Sequence, residues 1–338
     1  MTRTARAVIV DGPGRHRLVR GPLAHPGPGE ARVAVYAAAV SPRDRSLYEG
    51  THPHRYPVVP GHEWSGTVDG VGEGVDPALV GRRVVGEPLR GCGACDRCRE
   101  GAAELCAVHR ERAAIPPGAF ADAVTVPATS LHALPDDGDL SAAALAAPTA
   151  EAVAAVEAGA PGYGERVAVI GAGTVGLLTV QLLASRGVRQ LLVVEPRVPR
   201  ADAAFGMGAT DSADLDELYP GGDLDGCWDL VIDTLGGPRT GADGCVALRP
   251  GGRLVLAAPT EPGALGLDPA LLTTRQVTVR ALGPAPSRAW TVAVRALRDG
   301  VVDPSGLVSH RLGLEEFATA MELVTGDDPR VGRVLLHP

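Results

Sequence analysis

The stretch ERVAVIGAGTVGLLTVQLLASRG, Glu165 to Gly187, reads as a strand, a glycine turn and a helix in direct succession. VAVI is a short, β-branched apolar run, as a buried strand requires, and TVGLLTVQLLA continues as an apolar helix. Between them lie Gly171-Ala172-Gly173-Thr174-Val175-Gly176. In a dinucleotide-binding turn the first glycine permits the tight bend and the second lets backbone approach a pyrophosphate. The third lets helix and strand pack closely, with the helix N-terminus facing the anion. The next strand, QLLVVEP, places Glu195 19 residues after Gly176, where a carboxylate can accept a hydrogen bond from an adenosine ribose. Gly171, Gly173, Thr174, Val175, Gly176 and Glu195 are therefore the candidate cofactor residues. Glu195 favours NAD(H) over NADP(H), because a carboxylate repels a 2′-phosphate. Arg197 and Arg200 follow closely and could soften that preference; the alternative is that both are solvated loop charges.

Outward from this turn, CWDLVIDTLGG, GGRLVLAAP and QVTVRALG read as further strands with helices between them. Buried strands alternating with helices indicate an α/β, doubly wound parallel sheet, assigned to residues 148–282. Ahead of it, residues 1–147 carry short β-like runs between Gly/Pro turns (ARAVIV, ARVAVYAAAV, WSGTVDGVG, RRVVG and FADAVTVPA) and end in an Ala-rich helical stretch from Leu140 to Gly159. A helix, TVAVRALRDG, and a terminal strand, RVLLHP, lie in residues 283–338, which are expected to return to the first domain.

The chain has 338 residues, 45% hydrophobic and 21% charged, enough for two domains. All 32 basic residues are Arg, so Schiff-base chemistry and a lysine general base are excluded. A net charge of -8 with no basic cluster interleaved with aromatics points away from nucleic acid and toward a small-molecule substrate. The N-terminus has no signal-like apolar region, and no apolar run approaches the ~18 residues of a membrane span; the expectation is a cytoplasmic protein with no membrane partner.

Four of the six cysteines, Cys92, Cys95, Cys98 and Cys106, form C-x2-C-x2-C-x7-C in a lobe at about 90–108. Four thiolates at this spacing match a closed, tetrahedral, structural zinc site, one Zn2+ per chain. An iron–sulfur cluster or unligated thiols are the alternatives. Cys227 and Cys245 are expected to be small buried hydrophobes.

This order, a β-rich domain carrying Gly61-His62-Glu63, a four-cysteine lobe, a GAGTVG domain and a return, resembles the zinc-containing medium-chain dehydrogenase/reductase, alcohol dehydrogenase-like family over essentially the whole chain. YPVVPGHEWSG is similar to the polyol, sugar and aminocyclitol dehydrogenases within it. The resemblance implies a GroES-like catalytic domain, a Rossmann domain, NAD(P)-linked oxidoreduction and a homodimer or homotetramer. It also implies a second, catalytic zinc held by a Cys of a Cys-Gly/Arg-Ser/Thr-Asp step, the His and sometimes the Glu of GHE, and a Cys or Glu before the nucleotide domain. Here His62 and Glu63 match, and Asp44 matches the carboxylate that orients the histidine. The Cys position holds Ser41, the proton-relay position holds Arg43, and Ala146-Ala147 stand at the last ligand position. Two ligands are too few for a tight catalytic zinc, so that metal is expected to be absent. A rescue by Glu63, His52 or His54 is the alternative.

Without the metal, Arg43 could act as a fixed cation toward an oxyanion, and His62, oriented by Asp44, as a general acid/base. Alternatively Arg43 pairs with Asp44 or Glu63 and only fills the pocket. The expected reaction is hydride transfer to a polarised double bond, a conjugated C=C or an iminium, with His62, Tyr48 or Tyr56 as proton donor. Secondary-alcohol, polyol or aminocyclitol dehydrogenation and a catalytically inactive binding protein are the alternatives.

Overall fold

The computed structural model describes residues 3–51, 55–88, 91–106, 118–259, 264 and 266–338. The chain starts with an antiparallel hairpin of β1 (Thr4–Gly12) and β2 (Arg15–Pro22). It continues through β3 (Glu30–Ala39), β4 (Glu63–Val71), β5 (Arg83–Gly86), β6 (Ala123–Pro127) and β7 (Leu131–Ala133). The second unit contributes β8 (Arg166–Ile170), β9 (Gln190–Val194), β10 (Asp211–Ala213), β11 (Trp228–Asp233), β12 (Leu248–Leu256) and β13 (Thr278–Ala281). The chain ends in β14 (Val308–Gly313) and β15 (Arg333–His337).

In the first unit, β14-β15-β3-β4-β5-β7 form one sheet, and β6 also pairs with β3. One edge of β3 is shared: Glu30 to Ala34 pair with β6, whereas Ala38 and Ala39 pair with β15. Such division of one edge bends the sheet toward a barrel. The core behind it contains Val8, Val33, Trp64, Phe120, Phe317 and Leu336. Strand β2, RHRLVRGP, went unread in the sequence because its exposed, arginine-rich pattern has no apolar alternation.

The second unit carries six strands, all parallel, in the order β10-β9-β8-β11-β12-β13. Numbered within this sheet that order is 3-2-1-4-5-6, the doubly wound arrangement in which ligands bind at the carboxyl ends where strand order reverses. The expected helix from Leu140 to Gly159 is two helices, Leu140–Ala143 and Ala146–Gly159. Asp139 caps the first through Ser141 N, and the chain steps at Ala144-Leu145 before the second begins.

The compact units are residues 1–147 with 294–338, and residues 148–293. The return therefore begins at 294 and not at 283. The boundary falls inside the helix Ser287–Arg298, whose first turn is tied to the second unit by Arg288 and Glu157, 3.2 Å apart. Among the described residues no helix is long and apolar enough to cross a membrane.

The C-terminal strand is fastened from within. Arg333 is 7% exposed; its Nη1 donates to Val40 O at 2.9 Å and its Nη2 to Glu63 Oε1 at 3.2 Å. One guanidinium thus ties β15 to the end of β3 and to the first residue of β4. Breaking a buried pair by removing one partner costs about 3–5 kcal/mol, because the remaining charge stays buried. Arg333→Met should lower the unfolding free energy by that amount in urea titration, and adding Glu63→Gln should recover part of it.

Candidate functional site

The glycine turn is built as its spacing requires. Gly171 has φ 95°, open to glycine at little cost. A Cβ at Gly176 would stand 1.9 Å from Gly171 O, so only glycine lets the helix Thr174–Ala184 lie this close to β8. A Cβ at Gly173 would meet nothing within 4 Å. Gly173, Thr174 and Val175 are half-buried between the buried Ala172 and Gly176, and so present their backbone at the N-terminus of the helix Thr174–Ala184. Backbone N–H groups and the helix dipole at such a terminus suit a phosphate.

Two residues that the sequence reading missed stand at the end of the neighbouring strand β11, one holding this turn and the other ordering the loop beside it. Thr234 Oγ1 donates to Ile170 O at 2.9 Å or Gly171 O at 3.1 Å. Asp233, 2% exposed, accepts from Leu235 N and Gly236 N at 3.0 Å and from Thr240 Oγ1 at 2.6 Å. The DTLGG end of the strand was the available signal: a carboxylate followed by a hydroxyl and paired glycines at the carboxyl edge of a parallel sheet.

Glu195 lies at the end of β9, its side chain 1% exposed. Its carboxylate accepts from Ala172 N and is gripped by Arg197 through Nε at 2.5 Å and Nη2 at 2.9 Å. Burial pushes the Glu195 carboxyl up, but the bonds from Arg197 and Ala172 outweigh it and hold the group below the usual carboxylate range. Arg197 is therefore an ion-pair partner and not a solvated loop charge. Arg200 is half-buried, and desolvation first, then the charge of Arg197, push it below its ordinary value.

The four cysteines converge. The Sγ atoms of Cys92, Cys95, Cys98 and Cys106 all lie within 4.8 Å of one another, and those of Cys95 and Cys106 are 3.8 Å apart. A tetrahedral ion with bonds of ~2.3 Å demands S–S edges of roughly 3.8 Å, so the donor set fits Zn2+. Cys92 Sγ accepts from Cys95 N, and Cys106 Sγ from Cys92 N, both at 3.3 Å. Desolvation, then hydrogen bonds with neighbouring thiols, push the Cys98 thiol up to about 12, whereas hydrogen bonds from the Ala94 and Cys95 backbone pull Cys92 down. Of the other two cysteines, Cys245 is buried as expected, but Cys227 is only partly so, its thiol directed at Asp223 O and Asp225 O.

The third constellation surrounds His62. Ser41 caps the helix Pro42–Glu49: its Oγ accepts from Asp44 N at 3.2 Å and donates to Asp44 Oδ2 at 2.6 Å, while Ser41 N donates to the same oxygen at 3.0 Å. Asp44 Oδ1 accepts from Gly61 N at 3.0 Å. The carboxylate thus joins the helix start to the turn that carries His62, but it lies 3.9 Å from His62 Nδ1, beyond hydrogen-bond reach. The expected Asp44–His62 dyad is not formed, because Asp44 already serves the cap and Gly61. Glu63 Oε1 is likewise 3.9 Å from His62 Nε2 and pairs with Arg333. Burial lowers the His62 pKa; Asp44 opposes this, and the charges of Arg43 and Arg333 add to it, so the imidazole is neutral near pH 7.

Arg43 is exposed, and among the described residues it makes no ion pair with Asp44 or Glu63. Tyr48 OH lies 3.2 Å from both His16 Nδ1 and Gly14 O, and Tyr56 OH donates to Leu47 O; both hydroxyls are engaged by the fold. Ala146 and Ala147 are buried apolar residues with no donor atom. Among the described residues, only the four cysteines form a group of three or more possible metal ligands; His52 and His54 lie outside those residues.

The alcohol dehydrogenase GroES-like domain model matches residues 27–136. L-Threonine 3-dehydrogenase of Bacillus subtilis is 30% identical over 323 residues, covering 91% of each chain. The chain belongs to the zinc-binding, alcohol dehydrogenase-like medium-chain dehydrogenase/reductase family. Among solved structures, a Sinorhizobium meliloti protein described as a zinc-binding dehydrogenase, with NADP bound, aligns with TM-score 0.92 at 26% identity, covering 99% of this chain and 100% of that one. Galactitol-1-phosphate dehydrogenase of Escherichia coli aligns with TM-score 0.86 at 25% identity, covering 98% and 100%. The family member described here is an NAD(P)-dependent dehydrogenase.

In this dehydrogenase the contact at Gly176 is the sharpest constraint on cofactor binding. Gly176→Ala forces the helix Thr174–Ala184 away from β8, since a backbone carbonyl 1.9 Å away cannot turn aside as a side chain would. We expect at least a tenfold loss of NAD(P)H affinity by fluorescence titration, with a stability loss of about 1–3 kcal/mol.

Proposed function

We propose that this dehydrogenase couples a nicotinamide dinucleotide to the secondary alcohol or carbonyl of a small polar metabolite without a catalytic zinc. The observation that carries the reading is the state of Ser41 and His62. The serine hydroxyl that stands at the family's thiolate position is engaged in the helix cap, and the imidazole beside it is neutral, bonded to neither carboxylate, and within the field of Arg43.

When bound, the nicotinamide accepts or returns a hydride. In the oxidation direction the alcohol loses hydride from carbon and a proton from oxygen; His62, neutral and unbonded to the flanking carboxylates, takes that proton. Arg43 stabilises the negative charge that develops on the oxygen. A neutral histidine is a better acceptor than donor, which favours the alcohol couple over the reduction of a polarised double bond expected from the sequence. Two relatives support the same choice by their names, sorbitol dehydrogenase of Bacillus subtilis and galactitol-1-phosphate dehydrogenase of Escherichia coli. In this reading the four-cysteine cluster holds one structural Zn2+, and the enzyme works in the cytoplasm as a homodimer or homotetramer, as its family resemblance implies.

Metal analysis should return one zinc per chain, lost on replacing Cys95 with Ser together with a fall in melting temperature; two zincs per chain in the unaltered protein would refute the zinc-free reaction. Once a substrate is found in a panel of polyols and sugar alcohols, His62→Asn and Arg43→Ala should each lower kcat by roughly 10²–10⁴-fold. Because the His62 pKa is depressed, the acid limb of the rate profile should lie below the ordinary histidine value of about 6.5, with full activity above it. Removing the Arg43 charge should move that limb upward.

A further inference from the structure

We propose that Arg197, and not the Glu195 carboxylate, reads the adenosine 2′ position, so that the enzyme accepts NADP(H) despite the acidic residue at the end of β9. The inference rests on the reading that the Gly171–Gly176 turn binds a nicotinamide dinucleotide.

An ionised carboxylate offers about four lone-pair directions. On Glu195 four N–H donors already occupy them: Arg197 N at 3.2 Å and Nε at 2.5 Å on Oε1, Ala172 N at 3.0 Å and Arg197 Nη2 at 2.9 Å on Oε2. A ribose hydroxyl that donates to Glu195 must displace one of them from a side chain only 1% exposed. The selectivity that a free carboxylate confers, a hydrogen bond to the 2′-hydroxyl and repulsion of a 2′-phosphate, is lost on both counts. The hydrogen-bonding capacity is filled and the charge is neutralised.

The guanidinium is in the opposite condition. It has five N–H donors in a planar fork, of which Nε–H and one Nη2–H engage Glu195. Both Nη1 hydrogens and the second Nη2 hydrogen have no partner among the described residues, and the side chain is 41% exposed. The Nη1/Nη2 edge is the one that takes phosphate oxygens in a bidentate way, and it stays available while the pair with Glu195 stays closed. Nothing needs to rearrange: Glu195 holds the guanidinium flat and Arg197 turns its outer edge to the ligand. Arg200, three residues further on and half-buried, adds a second positive charge to the same segment.

The test is fluorescence titration of the full-length protein with NADH and NADPH. The unaltered enzyme should bind NADPH no more than tenfold more weakly than NADH. Arg197→Ala should weaken NADPH at least tenfold more than NADH, and Arg197→Lys, which keeps the charge but not the fork, should fall between the two. The NADH titration of each variant doubles as its control for folding. A preference for NADH above tenfold in the unaltered protein, or an Arg197→Ala variant in which the NADH/NADPH ratio is unchanged, overturns the assignment of Arg197 and leaves the dinucleotide site standing. If neither nucleotide binds, both the assignment and the site reading fall.

Discussion

The Asp44 carboxylate, 4% exposed and holding Ser41 N, Ser41 Oγ and Gly61 N, is the contact on which the chemistry of the first unit depends. A buried carboxylate is tolerable only while its hydrogen bonds are kept, so these three cannot be lent to a neighbour. The helix Pro42–Glu49 therefore starts where it does, the Gly61-His62-Glu63 turn is fixed to that start, and His62 is left out of the network that positions it. In the family this chain belongs to, position 41 carries a thiolate ligand. A serine there is more than a missing ligand, because its hydroxyl both donates to Asp44 and accepts from Asp44 N. On the zinc-free reading proposed above, the serine that stands in for a metal ligand also completes a capping box, which accounts for the stability of the helix start.

The absence of lysine gives this logic a single cation to work with. Buried or half-buried carboxylates are met by guanidinium groups: Glu63 by Arg333, Glu195 by Arg197, Asp69 by Arg32, Asp225 by Arg275. Arginine engages a carboxylate through two parallel bonds and still has donors on its other edge. Arg333 uses its second edge on Val40 O, which makes it a strut. Arg197 leaves its second edge to solvent, which makes it a candidate ligand group. The same pairing has different consequences depending on what the far side of the guanidinium meets.

The doubly wound sheet was legible because its signals are local: VAVI, the glycine turn and the helix are adjacent in sequence, and Gly171 and Gly176 show the tight bend and the close packing that their spacing implied. The cysteine cluster was legible for the same reason, since four ligands within fifteen residues need little of the fold to converge. Arg333 was not, because its partners Val40 and Glu63 lie 293 and 270 residues away and nothing in RVLLHP distinguishes a buried arginine from an edge charge. The boundary at 294 was missed because a helix shows no break where it passes from one unit to the next.

In both sites the sequence placed a carboxylate correctly and was silent on how many of its lone pairs the fold already uses. Asp44 was expected to orient His62 and Glu195 to bind ribose; Asp44 accepts three hydrogen bonds from Ser41 and Gly61, and Glu195 accepts four from Ala172 and Arg197. A motif specifies where a carboxylate stands; what it can still do depends on how many lone pairs its neighbours leave. By that criterion the groups proposed above to act on ligands are the imidazole of His62, the cation of Arg43 and the outer edge of Arg197. Asp44 is held by Ser41 and Gly61, Glu63 by Arg333, and Glu195 by one edge of Arg197, which is the condition under which a neighbouring charge or proton acceptor can be offered to a ligand and not to the fold.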